Sequence, residues 1–150
     1  MLPRAVCLDL DNTLYAYAPA HAAALQTFAD EWVHSQLGTA DQALAAYASG
    51  RKLIHAQVPR LAAAHHRLLY IQQAVEVALG GTDYQLILRL VDAYWAGFFA
   101  HMRLFEGVYE FLVELHGKSI PTVLITDMVA SIQFEKVLRL GIGHLVRHMV

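Results

Sequence analysis

The spacing of apolar positions changes twice along the chain. The first run, Ala5-Val6-Cys7-Leu8, is short and unbroken, the pattern of a buried strand. From Pro19, which the first turn of a helix tolerates, Leu25, Phe28 and Trp32 recur at helical spacing until Gly38 ends the segment. Thr39 or Asp41 can cap a short helix that runs out near Ser49-Gly50. Arg51 to Val58 predicts a further short helix, stopped by Pro59. From Leu61 a long helix is predicted with Leu68, Ile71, Val75 and Leu79 on one stripe, broken at Gly80-Gly81. Asp83 caps the next, in which Ile87, Leu90, Val91, Tyr94 and Phe98 share a face. The aromatic residues Trp32, Trp95, Phe98 and Phe99 read as core of this helical block.

The pattern changes again near His101. Val108, Phe111, Leu112 and Leu115 make a compact helix between Gly107 and Gly117. Ile120 to Ile125 is a second apolar run, ending in Thr126-Asp127. A helix over about Val129 to Leu140 follows, and Leu145 to Val150 opens a third strand. Strands alternating with helices predict an α/β fold with parallel pairing, interrupted by a helical block directly after the first strand.

Composition narrows the class. The 150 residues are 57% hydrophobic and 16% charged, too apolar and too weakly charged for a disordered chain. Net charge is −2 and no basic run occurs, so nothing points to nucleic acid. No apolar stretch reaches the roughly 20 residues of a membrane helix, so no membrane partner is expected. The single cysteine, Cys7, cannot close an internal disulfide and suits a reducing cytoplasm.

Chemistry concentrates where the first strand ends. Asp9 and Asp11 stand at period two and point to one side, offering two carboxylates to one site. Asn12-Thr13 follow as a turn pair, then Leu14-Tyr15. The string from Ala5 to Tyr15 resembles the first motif of the haloacid dehalogenase-like superfamily of phosphohydrolases. Val123-Leu124-Ile125-Thr126 resembles the second motif, and Leu104 to Val108 the lead-in to the helix before it.

The resemblance implies a partial Rossmannoid parallel sheet of about three strands with an inserted all-helical cap. The core would comprise 1–15 plus 103–150 and the cap 16–102. Asp9 would be the nucleophile, forming an aspartyl-phosphate, and Asp11 the acid and base. Thr126 and Asp127 would lie on the phosphate. Mg²⁺ would bind the Asp9 carboxylate and the Asp11 backbone carbonyl. True haloacid dehalogenases lack the second aspartate, so Asp11 favours phosphate-ester hydrolysis over carbon–halogen cleavage. Tyr15, Tyr17 and His21 would line the entrance beneath the cap, and the substrate would be a small phosphorylated metabolite.

The family also implies a third motif carrying a lysine and a fourth carrying acids, and neither is found before Val150. Lys136 lies ten residues beyond Thr126. At 1.5 Å per residue that is about 15 Å along a helix, which places it out of reach of a phosphate. The expectation is a chain truncated relative to its family, binding Mg²⁺ weakly and turning over little. Two other readings stand beside it: a non-catalytic interaction or regulatory protein on a degenerate fold, and half of a split enzyme. An apolar first strand without its neighbour seeks a partner. Self-association through the Ala5–Leu10 edge is therefore expected; light scattering should return a mass of at least a dimer, and a monomer at all concentrations would refute it.

Overall fold

The computed structural model describes residues 3–59 and 61–150. Strands β1 (Val6–Leu8), β2 (Thr122–Leu124) and β3 (His148–Met149) pair in that order. Both pairings are parallel, with Val6 opposite Thr122 and Leu124 opposite Met149. Parallel strands need a crossover, and helix α6 (Ala130–Arg139) supplies the one between β2 and β3. The strands are shorter than the apolar runs that predict them. Pro121 has no N–H for the ladder, so β2 starts after it, although its carbonyl accepts from Val6 N–H at 2.9 Å. The prediction of a buried first strand needs correction: among the described residues β1 is paired on one side only, and Cys7 is exposed.

The chain divides into two units. One holds the described residues up to Pro19 together with Met102–Val150, and the other is Ala20–His101. In the first, helix α5 (Val108–Gly117) leads into β2, and Leu112 and Leu124 are fully buried. Leu10 and Tyr15, from the turn after β1, are fully buried as well. Tyr15 bridges antiparallel to Leu104, and Phe105 N–H donates to the Leu14 carbonyl at 2.9 Å. The two segments at which the chain leaves and re-enters this unit are therefore hydrogen-bonded to each other.

The helical unit is built from most of α1 (Tyr17–His34) with α2 (Ala40–Gln57), α3 (Arg67–Leu79) and α4 (Tyr84–His101). Thr39 caps α2 in a reciprocal box with Gln42, and Asp83 Oδ1 accepts from Leu86 N–H at 2.9 Å at the start of α4. The predicted break near Gly50 does not occur. Gly50 lies inside α2 because the backbone of α3 passes there: a Cβ would stand 2.3 Å from the Tyr70 carbonyl oxygen. The glycine is a packing contact, not a stop. The long helix predicted from Leu61 starts six residues late. None of Leu61 to His66 offers a capping oxygen from its side chain, and Ala62–His65 forms a 3₁₀ turn instead.

Aromatic rings fill this unit. Phe28, Trp32, Tyr70, Tyr94 and Phe98 are at most 2% exposed. Tyr47 stacks on Tyr94 with centroids 5.7 Å apart. Buried phenols need partners. His21 Nδ1 lies 2.7 Å from the Tyr94 hydroxyl, and Arg67 Nε donates to the same oxygen at 3.4 Å. His55 Nε2 lies 3.0 Å from the Tyr70 hydroxyl. Burial, then the charges of Arg67 and Arg51, push His21 down to about 4 from 6.5. Between those two pH values the unfolded chain binds the proton and the folded one does not, so stability falls with acidification across that window. His21→Gln should flatten the pH dependence of the melting temperature between about pH 6.5 and 4, with little change at pH 8. Calorimetry across that range checks it; an unaltered slope would contradict the assignment.

Candidate active site

Parallel pairing of β1 with β2 brings both sequence motifs to the same sheet end. Past Leu8 and Leu124 the ladder continues for one more bond, from Ile125 N–H to the Leu8 carbonyl at 2.9 Å. Asp9, Thr126 and Asp127 then line one cleft of about 370 Å³, with Cys7, Leu8 and Ile125. Asp9 is exposed, and Oδ2 accepts from Thr13 Oγ1 at 2.8 Å. The turn that makes this possible passes through Asn12 in the left-handed region (φ 61°), where asparagine is tolerated. Asn12 Oδ1 in turn accepts from Tyr17 N–H at 3.0 Å.

Asp11 faces other partners. Its carboxylate is part-buried and is held on three sides. Lys136 Nζ lies 2.6 Å from Oδ1, Gln133 Nε2 donates to Oδ2 at 3.1 Å, and the Tyr15 hydroxyl donates to Oδ1. Burial alone would push the Asp11 carboxyl up. The Lys136 charge and the hydrogen bonds from Lys136, Tyr15 and Gln133 outweigh it, and hold the group below its ordinary value. The shared orientation expected of Asp9 and Asp11 is thus not a shared environment. One carboxylate faces the cleft, and the other is gripped by α6 and Tyr15.

Lys136 comes nearer to the turn after β1 than its position along the chain suggests, and what it reaches there is Asp11. Only six helical residues separate it from the start of α6, about 9 Å of axis, because the segment after β2 is not helical. Helical side chains lean toward the N-terminus of the helix, so a long lysine on α6 recovers most of that distance. Its side chain is fully buried, with Met128 Sδ 3.5 Å from Nζ and the Tyr15 ring centroid at 5.7 Å. Gln133 is likewise 0% exposed and donates to Thr126 Oγ1 as well as to Asp11. Spacing at i, i+3 puts both on one helix face. Hydropathy conceals that face, since Phe134 and Leu138 are 55% and 69% exposed while Gln133 and Lys136 are inside.

The remaining predicted site residues have other partners. Tyr15 is fully buried and serves Asp11 instead of lining an entrance. Tyr17 is half-buried beside Asn12, and His21 belongs to the helical unit beside Tyr94. Among the described residues no three His, Cys, Asp or Glu side chains gather as metal ligands. The cleft does offer oxygen donors in the Asp9 and Asp127 carboxylates. Magnesium uses one or two carboxylates and fills its sphere with water and phosphate oxygen, so this donor set fits it.

Residues 3–150 match the family profile described as hydrolase, haloacid dehalogenase-like hydrolase. The chain belongs to the haloacid dehalogenase-like hydrolases. It is 33% identical over 145 residues to a ribulose-1,5-bisphosphate 5-phosphatase of Halopiger xanaduensis, covering 92% of this chain and 58% of that protein. The 2-haloacid dehalogenase of Pseudomonas syringae superposes with a TM-score of 0.70 at 25% identity, over 99% of this chain and 64% of the other. A putative β-phosphoglucomutase of Thermotoga maritima superposes at 0.60 and 19% identity, over 99% and 61%. The chain thus spans less than two thirds of the length of each of these relatives.

Within this haloacid dehalogenase-like core the Lys136–Asp11 pair joins α6 to the turn after β1. Removing one partner of a buried pair leaves the other uncompensated. Lys136→Met should lower the unfolding free energy by about 3 kcal/mol, the low end for such pairs because Asp11 keeps some solvent contact. Arg139→Met, whose partner Glu135 is exposed, should cost under about 1 kcal/mol. Urea titration of the two variants compares them; equal losses would refute the ranking.

Proposed function

We propose that the protein is a Mg²⁺-dependent phosphomonoesterase acting on a small phosphorylated sugar through an aspartyl-phosphate at Asp9. The observation that carries this is the cleft at the ends of two parallel neighbouring strands, lined by Asp9, Thr126 and Asp127. Asp9 and Asp127 are both exposed carboxylates lining it, and Asp9 is the one that the first motif implies as nucleophile. An Asp9 oxygen attacks phosphorus and the ester P–O bond breaks, with the leaving alkoxide taking a proton from Asp11. Water then attacks the same phosphorus, gives a proton to Asp11, and breaks the Asp9–phosphorus bond to release inorganic phosphate. The Thr126 hydroxyl donates to a phosphoryl oxygen, the Ile125 and Thr126 N–H groups being engaged by the Leu8 and Val150 carbonyls.

Charge decides what else the site needs. Two carboxylates lining one cleft repel a phosphate dianion, so an entering ester requires a cation beside Asp9 and Asp127. Mg²⁺ held by those side chains would neutralise that repulsion and polarise the phosphoryl group. Lys136 favours the ionised form of Asp11, so Asp11 must take up a proton before the first step, and the acid form is the minor one at neutral pH. The relative named as a ribulose-1,5-bisphosphate 5-phosphatase supports a sugar phosphate as the substrate class.

The test is phosphate release from ribulose 1,5-bisphosphate and from simple sugar monophosphates with Mg²⁺. Turnover should be lost on chelation and fall by about a thousandfold or more in Asp9→Asn. Beryllofluoride, which mimics a phosphoryl group on a nucleophilic carboxylate, should give a bound ¹⁹F resonance that requires both Mg²⁺ and Asp9. Absence of both turnover and adduct would favour the non-catalytic reading of the fold.

A further inference from the structure

Two fully buried polar side chains on α6 need a reason beyond packing. An amide and an ammonium each cost several kcal/mol to take out of water, and an apolar residue would fill either position at less cost. What they touch supplies the reason. Gln133 Nε2 contacts Asp11 Oδ2 from the first motif and Thr126 Oγ1 from the second. Lys136 holds the other Asp11 oxygen. Residues 115 positions apart in sequence are thus tied through one amide group.

The direction of these bonds follows from the acceptor. An ionised carboxylate only accepts, so the amide edge facing Asp11 is the NH₂ edge. The same NH₂ group meets Thr126 Oγ1, which makes the threonine oxygen an acceptor there. Its own hydroxyl proton is then turned away from Gln133, and Thr126 lines the cleft that also holds Asp9 and Asp127. Gln133 Oε1 is buried and has no hydrogen-bond partner among the described residues, which fits an amide oriented by its two NH₂ contacts and not by its carbonyl.

We infer that Gln133, backed by Lys136, is a positioning residue that aims the Thr126 hydroxyl proton into the cleft and fixes the Asp11 carboxylate relative to it. It touches no reacting atom. It converts a freely rotating hydroxyl into a donor of set direction, so the oxyanion-binding group is oriented before a phosphate arrives. Lys136 anchors Asp11 so that the amide has a fixed second acceptor. The inference rests on the phosphatase reading only for its kinetic consequence; the hydrogen-bond bridge itself is independent of activity.

The experiment therefore has two arms on the 150-residue protein. In ¹⁵N-labelled protein, the Gln133 side-chain NH₂ resonances should move in both Asp11→Asn and Thr126→Val, and stay in place in Asp9→Asn. If neither of the first two moves them, the bridge is absent and the inference falls, whatever the activity. In the kinetic arm, Gln133→Met should lower kcat by about tenfold to a hundredfold. Its KM should change less than threefold, and the beryllofluoride adduct on Asp9 should persist. The same substitution made in a Thr126→Val background should cost under about threefold more, because the group it aims is gone. Full additivity of the two substitutions would overturn the positioning role. Lys136→Arg, which keeps the charge, should retain more kcat than Lys136→Met; equal losses would remove Lys136 from the inference. Loss of the adduct in the unsubstituted protein would count against the phosphatase reading, and leave the NH₂ arm to decide the bridge.

Discussion

A buried ammonium has to meet a carboxylate, and Lys136 meets Asp11 at 2.6 Å with its own side chain wholly out of solvent. Much of the site's arrangement depends on that contact. It fixes the face of α6 that turns inward, and so carries Gln133 to the end of β2. It holds the Asp11 carboxylate in a part-buried position, while Asp9 is the exposed one. It also holds the turn after β1, which contains the left-handed Asn12, against the crossover that follows β2. Energetically the pair is not a simple gain, since desolvation offsets much of the attraction. Its contribution is specificity: a slipped α6 would leave both charges unmatched.

The fold was largely legible in the sequence because its signals are local. Short unbroken apolar runs predict β1 and β2, Thr39 and Asp83 mark helix starts, and Gly80 adopts the left-handed conformation that ends α3. What was not legible depends on neighbours distant in sequence. Gly50 reads as a helix stop, and only the passage of Tyr70 across α2 makes it a contact point. Cys7 reads as buried because a strand this apolar normally has neighbours on both sides, and here, among the described residues, it has one.

The site divides along the same line. Motif and strand end alone single out Asp9, Thr126 and Asp127 as candidates, and the three line one cleft. Gln133 and Lys136 escape because hydropathy assigns the wrong face of α6 to the interior. Distance counted along an ideal helix also ignores where the helix begins and which way a lysine leans. The available signal was a pair of long polar residues at i, i+3 facing the same way as Val137, a pattern that makes sense only if something charged lies beneath it. Tyr15 was noticed for the wrong reason: its phenol is a fastener for Asp11.

The bridge between Tyr15 and Leu104 has an architectural consequence. The two ends of the intervening chain are clasped where they leave the sheet unit, so everything from Ala20 to His101 is topologically a closed loop. The entropy of closing a loop grows only with the logarithm of its length. Helices can therefore be lengthened, exchanged or lost inside that loop at little cost to the sheet, provided the clasp survives. A family with this architecture can diversify what surrounds its chemistry while the carboxylates and their supports remain as they are.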